Sequence, residues 1–348
     1  MSAEPETRRR KRRGVKGVAL ALLGVAIVVS TFVFVLPRVA SYGEVWETIQ
    51  GLSWQWTLAL VGAAAINVAT FAPPWQVSLP GLRFRPALMM SQASTALSIV
   101  IPGGVAAGMA GSVAMLRGWG FSGRDIGRSV TLTSLWSQFT NLTYPVVAVF
   151  LLAAQGGQSP ALVTAAFIAV AVLGVVVALL VLVLLNRGLA TDLGDALARL
   201  ANWARGKIRR GPVAWNGESF ERFRAHSGWL LARRWHALTV ASFAGSLSVF
   251  LVLFVSLRAL GVSDAQVTAT EAFAAWAIVR LIGTIPITPG GIGIVELGLT
   301  GFLVGFGGAN AAVVAAVLVF RFWTMIPTLL LGLVAAGTWR RHQPAPRR

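Results

Sequence analysis

The chain has 348 residues, 56% of them hydrophobic and 12% charged, with a formal net charge of +18 and a mean hydropathy of +0.72. Those values lie far outside the range of a soluble domain and describe a polytopic membrane protein. There is no cysteine, which excludes thiolate catalysis, disulfides and cysteine-ligated metals, and the three histidines, His226, His236 and His342, are too scattered for a metal cluster.

Residues 1–17 form a basic tail containing RRRKRRGVK. Val18 to Leu36 follows as an apolar run longer than the roughly 7–15 residues of a signal-peptide core, and Pro37, Arg38 and Ala40 make a poor cleavage site. It is expected to stay as a span. Trp54 to Trp75, Ser129 to Ala154, Ala161 to Leu185, Ala237 to Leu257 and Ala311 to Gly337 are further apolar runs. Each is long enough for a helix rising about 1.5 Å per residue to cross a hydrocarbon core near 30 Å.

Between these spans the basic residues fall at Arg83 and Arg85, from Arg117 to Arg128, from Arg187 to Arg234, and at the C terminus. The positive-inside rule puts all of them, with both termini, on the cytoplasmic face. The loop around Glu44 and Glu47 and the uncharged QGGQSP turn at 155–160 then lie outside. Placed in this way, the positive charge orients the chain and attracts anionic lipid, and nucleic acid is not expected as a partner. Asn141-Leu142-Thr143 matches a glycosylation acceptor but falls inside a predicted span, so it is discounted.

Two apolar stretches, Ala87 to Leu116 and Glu271 to Phe306, must begin and end on one face for this topology to close. Each carries the same punctuation at its centre, SIVIPGGVAAG at 98–108 and PITPGGIGIVE at 286–296. Proline removes an amide donor and adjacent glycines admit backbone angles closed to other residues, so each helix should stop and restart there. The pair reads as an inverted-topology repeat of two broken hairpins; two ordinary kinks in straight spans are the alternative. Irregular backbone at membrane depth is tolerated only inside protein or along a cavity. Pro102, Gly103 and Gly104 in one bend, and Pro289, Gly290, Gly291 and Gly293 in the other, are therefore candidates to bind a lipid phosphate at half-helix N-termini. Gly104, Gly108, Gly111, Gly301 and Gly305 are expected to let the short helices pack closely.

Glu296, Arg280 and Arg321 are predicted at membrane depth, where each charge costs about 2.5–3.5 kcal/mol on insertion scales. Either Glu296 pairs with one of the arginines, or an arginine meets the phosphate while Glu296 orients it or carries a proton; both can hold together. Glu271 and Arg117 read as boundary charges. In the cytoplasmic segment 187–236, Leu189, Leu193, Leu197, Leu200 and Ala204 recur at helical spacing opposite polar residues. They predict an amphipathic helix, with a second one over Glu218 to Trp235, lying on the inner membrane surface or docking a cytoplasmic partner.

TPGGIGIVE at 288–296, IPGG followed by Arg117 and GWGFS, and Arg321 in VFRFW together resemble the lysylphosphatidylglycerol synthase transmembrane (flippase-like) family over about residues 18–337. The resemblance implies a membrane domain that translocates or handles lipids, and assigns Pro289, Gly290, Gly291, Gly293, Glu296 and Arg321 to a motif. Eleven residues follow Gly337, so no fused synthase domain and no enzyme activity are expected. The expected fold is an all-α integral membrane protein of about six full transmembrane helices plus two re-entrant or broken helical hairpins in an inverted repeat, with a short basic tail at 338–348. The expected function is movement of a phospholipid or polyprenyl-linked lipid between leaflets, without a cofactor. A non-catalytic partner that scaffolds a lipid-modifying or glycosyl-transferring enzyme, and a carrier of a small soluble anion, are the alternatives. The excess of arginine over three lysines and the abundant alanine suggest a bacterial plasma membrane.

Overall fold

A computed structural model describes residues 40–101, 104–155, 186–207, 217–284 and 288–339, with scattered positions between 164 and 178. Every long element among the described residues is helical: α1 (Tyr42–Gln50), α2 (Trp54–Thr70), α3 (Pro73–Ser78), α4 (Phe84–Val100), α5 (Gly104–Gly118), α6 (Gly123–Gln155), α7 (Arg187–Lys207), α8 (Gly217–Ala259), α9 (Ala269–Gly283), α10 (Ile294–Gly305) and α11 (Asn310–Thr338). Four stretches are long and apolar enough to cross a membrane, Trp54–Ser78, Gly123–Ala154, Arg233–Ala259 and Asn310–Thr338, and they coincide with four of the six predicted spans. The predicted span Val18 to Leu36 lies outside the described residues, as does nearly all of Ala161 to Leu185.

Local sequence accounts for the helix limits. Ser41 caps α1, its hydroxyl accepting from the Glu44 amide at 3.3 Å. Thr268 and Glu271 form a reciprocal capping box at the start of α9, so Glu271 is engaged with its own helix end. The Pro73-Pro74 pair follows the turn at Phe71 and Ala72 that bends α2 into α3.

Two differences from the sequence reading have plain causes. The segment around Glu44 and Glu47 is the helix α1, not a simple loop. The predicted second amphipathic helix and the span that follows it are one 43-residue helix, α8. Nothing between Trp235 and Ala237 breaks a helix, and a change from basic to apolar composition does not interrupt hydrogen bonding. α7 forms where the leucine periodicity places it and packs along α8.

Polar side chains tie the spans together where apolar contact alone gives no drive in lipid. Asn67 Nδ2 of α2 donates to Ser248 Oγ of α8 at 3.0 Å, Ser78 and Ser129 hydroxyls meet at 2.6 Å, and Trp136 Nε1 of α6 donates to Thr239 Oγ1 of α8 at 2.9 Å. The outward faces stay apolar and exposed, as with Leu333 (74%) and Val240 (68%), which suits a lipid surround.

α11 spans the molecule and serves as its ruler. Near its start Val313 belongs to a core with Val45, Val262, Val267 and Leu303. At its middle the Met325 side chain lies against Gly290, and a Cβ placed on Gly290 would stand 3.6 Å from the Ile99 Cα. Farther along, Gly332 lies against Ala96 and the Gln92 backbone. At its end Trp339 covers Gly118 and accepts from Trp119 Nε1 at 3.2 Å.

α4 and α5 therefore form an antiparallel hairpin that opens toward the C-terminal end of α11, with Gly104 against Ser98 and Gly108 against Ser94. α9 and α10 form a second hairpin that opens toward the other end, with Gly283 against Val295 and Gly298 against Val279. The arms run 17, 15, 15 and 12 residues, about 26 Å down to 18 Å, each short of a 30 Å core. The tips of the two hairpins touch at Ile99 and Gly290.

Candidate functional site

The second Pro-Gly-Gly bend is built by glycine. Pro289–Gly291 forms a single 3-10 turn, and Gly290, Gly291 and Gly293 take φ values of 60°, 68° and 89°. These angles reverse the chain between α9 and α10 at positions where a side chain is strained. Gly291 N donates to the Thr288 carbonyl at 3.2 Å, closing the turn.

Glu296 and Arg321 lock that bend. Glu296 is buried, with its Oε2 accepting from the Gly293 amide at 2.7 Å and its Oε1 from Arg321 Nε at 2.7 Å. Arg321 Nη2 donates to the Gly290 carbonyl at 2.7 Å. One carboxylate thus caps the N-terminus of α10 and neutralises the cation of α11, while the same cation satisfies a carbonyl that the bend leaves without a helical partner. Of the two roles open for Glu296 at the sequence level, pairing with Arg321 is the one with this geometry.

Arg280 sits apart, one turn before the end of α9. Its Nε donates to Asn141 Oδ1 of α6 at 2.8 Å and its Nη2 to Ser246 Oγ of α8 at 3.1 Å, and its Cζ lies 5.4 Å from the Trp276 ring centre. Tyr144, which donates to the Phe243 carbonyl at 2.9 Å, stacks edge-on against Trp276 and completes the wall behind it. Among the described residues no carboxylate pairs with Arg280.

An open cavity of about 270 Å³ joins the two arginines. Asn141, Trp276, Arg280, Thr284, Phe320 and Arg321 are among its lining residues, which come from α6, α9 and α11, with α8 and α10 completing the wall. Its lining combines the Arg280 and Arg321 guanidinium groups and the Asn141 amide with apolar Val249, Val279, Val295 and Leu299.

Of the ten residues singled out from the sequence, Gly290, Gly291, Gly293, Glu296 and Arg321 form one hydrogen-bonded unit with the Pro289 turn, and Arg280 joins them through the cavity. Gly104 instead packs on the Ser98 backbone at the α4–α5 crossing. Pro102 and Gly103 lie outside the described residues. Gly301 and Gly305, expected at a close helix contact, face open space, whereas Gly298 makes it: a Cβ there would stand 2.9 Å from Val279 Cγ2. The GxxxG spacing was present, but the helix presents a neighbouring face.

Asn141, Ser246 and Trp276 were missed. The usable signal is Asn141 itself: an amide inside a span calls for a polar partner, a point separate from the glycosylation match that is discounted there. At the N-terminus of α10, expected to offer its amides to a lipid phosphate, the Gly293 amide already donates to Glu296 Oε2.

Comparison with protein families matches the lysylphosphatidylglycerol synthase TM region to residues 21–332. Comparison with curated proteins gives no match.

Proposed function

The chain belongs to the lysylphosphatidylglycerol synthase transmembrane family, and on that premise we propose that it moves a phospholipid or polyprenyl-linked lipid between the two leaflets of a bacterial plasma membrane. The observation that carries the reading is the cavity joining Arg280 and Arg321, set beside the meeting point of two hairpins that open in opposite directions. Arms shorter than the hydrocarbon thickness, meeting at their tips, leave a thin barrier at mid-depth, which is the arrangement alternating exposure of a site requires. Placed with the basic ends of α4, α5 and α11 in the cytoplasm, the α4–α5 hairpin enters from inside and α9–α10 from outside.

In this reading the head group enters the cavity and the tails stay in lipid along the exposed apolar faces. The protein acts as a transporter, with no catalytic role and no cofactor. The sequence has no nucleotide-binding loop, so a gradient or downstream consumption of the lipid supplies the drive.

Reconstitution tests it. Vesicles containing the protein and a fluorescent phospholipid should expose inner-leaflet label to an impermeant quencher faster than protein-free vesicles. Gly290→Leu together with Gly291→Leu should remove that difference. Equal rates for parent, double variant and empty vesicles would end the proposal.

One observation favours a second reading, a scaffold for a lipid-modifying or glycosyl-transferring enzyme. The 43 residues of α8 extend about 64 Å, roughly twice the hydrocarbon core, so part of α8 projects from the membrane with α7 packed along it. On α7, Leu200 and Trp203 are exposed by 59% and 60%. Deleting 205–225 separates the readings: it should spare lipid movement if α7 and α8 serve only a partner.

A further inference from the structure

The two halves of α6 expose different side chains. Beyond Asn141 the exposed residues are Leu142, Val147, Phe150, Leu151 and Ala154, all apolar. Between Arg128 and Asn141 they are Thr131, Ser134, Leu135, Ser137 and Gln138. At about 100° per residue, Ser134, Ser137 and Gln138 point within about 60° of Asn141 and Thr131 within about 80°, while Leu135 points about 120° away. The polar side chains therefore continue, toward the basic end of the helix, the stripe by which Asn141, Tyr144 and Ala148 meet α9. α9 ends at Gly283, three residues past Arg280, and this length of α6 stays uncovered. Thr131 satisfies its hydroxyl within the helix, donating to the Gly127 carbonyl at 2.9 Å. The Ser134, Ser137 and Gln138 side chains make no hydrogen bond among the described residues. Gln138 lies ten residues beyond Arg128, about 15 Å along the helix. An amide with two donors and two lone pairs is costly to leave bare in hydrocarbon, and polar side chains at such depth face the protein interior or water. An exposed one faces water.

We infer that the basic-end half of α6 lines a water-filled vestibule that opens the Arg280 cavity to the cytoplasm, while the exposed face of the other half is covered by lipid. At the mouth of the vestibule Arg124 is exposed and Arg128 pairs with Asp125 at 3.1 Å. At its deep end stand Asn141 and Arg280. Among the described residues no carboxylate pairs with Arg280, and hydration through the vestibule accounts for a guanidinium kept at that depth on neutral partners alone. From Ser129 to Asn141 the helix carries hydroxyls and one further amide but no charge. The passage thus admits water and polar groups of either sign, and selection by charge falls to Arg280. The site is thereby reached from the cytoplasmic side. The vestibule stands on this face of α6 whatever the cavity carries; its use as the loading route of a transporter rests on the translocation reading.

A chain without cysteine makes the vestibule measurable. Ser134→Cys and Gln138→Cys are compared with Leu142→Cys and Val147→Cys, and with Gly123→Cys at an exposed position with open space around it as the reference. A charged, impermeant methanethiosulfonate is applied to inside-out membrane vesicles and to intact cells. The thiolate is the reacting form, and a thiol ionises in water but not in hydrocarbon. In inside-out vesicles the 134 and 138 variants should react within about tenfold of the rate of the 123 variant, and the 142 and 147 variants at least about a hundredfold more slowly than it. In intact cells the 134 and 138 variants should react at least about a hundredfold more slowly than in inside-out vesicles. Rates at 134 and 138 no faster than those at 142 and 147, or faster in intact cells than in inside-out vesicles, overturn the vestibule. Ser134→Cys exchanges a single atom and keeps the parent fold, so it decides the outcome should Gln138→Cys fail to accumulate. Fluorescent phospholipid in reconstituted vesicles separates this claim from translocation. If the labelling pattern holds and the parent moves no lipid, the vestibule stands and translocation falls. If the parent moves lipid and 134 and 138 label no faster than 142 and 147, translocation stands and the vestibule falls.

Discussion

Arg321 and Glu296, 25 residues apart in sequence, meet through Nε and Oε1 at 2.7 Å, and the same two side chains also hold the Gly290 carbonyl and the Gly293 amide. The pair therefore fixes the conformation of the second bend as well as cancelling two charges. The break between α9 and α10 is stable because its freed backbone groups are bonded to side chains fixed on α10 and α11.

Removing one partner should cost more than removing both. Glu296→Gln leaves a buried cation with a weaker acceptor, and breaking a buried pair costs about 3–5 kcal/mol. Glu296→Leu combined with Arg321→Met removes both charges and should unfold at a higher temperature in detergent than Glu296→Leu alone. A double variant less stable than the single one would show that the bend needs Arg321 for more than charge balance.

The packing of α9 against α10 gives a contrast between two glycines of one helix. Gly298→Leu drives a side chain into Val279, where overpacking costs about 1–3 kcal/mol. Adding Val279→Ala should restore part of the loss. Gly301→Leu, at a position with nothing within 4 Å, should leave the melting temperature unchanged or raised. Equal losses at 298 and 301 would contradict this register.

The meeting of the hairpin tips can be read by cross-linking, helped by a sequence without cysteine. With the Gly290 Cβ position 3.6 Å from the Ile99 Cα, the two Cα atoms are no more than about 5.1 Å apart, under the roughly 6.8 Å limit for a disulfide between Ile99→Cys and Gly290→Cys. Mild oxidation should join peptides containing the two positions, detected by mass spectrometry without reduction. Ile99→Cys with Ala312→Cys, placed near the start of α11, should not join. Absence of the first bridge under conditions that oxidise a surface pair would separate the tips.

Orientation is open to single-cysteine labelling. Gly120→Cys lies just after α5, beside the basic Arg117 and Arg124, and Gly307→Cys lies between α10 and α11. An impermeant maleimide added to intact cells should label Cys at 307 and reach 120 only after permeabilisation. The reverse pattern would invert the direction in which each hairpin enters.

Several elements could be read from residues alone because their causes are local. Apolar length gave the four described spans, leucine spacing gave α7, and two Pro-Gly-Gly tripeptides gave the two places where helices stop. Glu296 and Arg321 stood out because charge in an apolar run is costly wherever the run lies. The continuity of α8 is not legible in the sequence, because composition changes from basic to apolar near Trp235 while the helix runs on unbroken.

By itself, then, the sequence determined membrane residence, helical class, the positions of the breaks and which charges had to find partners, since each follows from the free energy of a segment in its solvent. Only the tertiary structure decided that Glu296 takes Arg321, that Arg280 is left to Asn141 and Ser246, that Gly298 rather than Gly301 forms the close contact, and that Ile99 meets Gly290. Those choices depend on the rotation and depth of one helix against another, and a shift of one residue turns a helix face by about 100° without altering the composition of any segment.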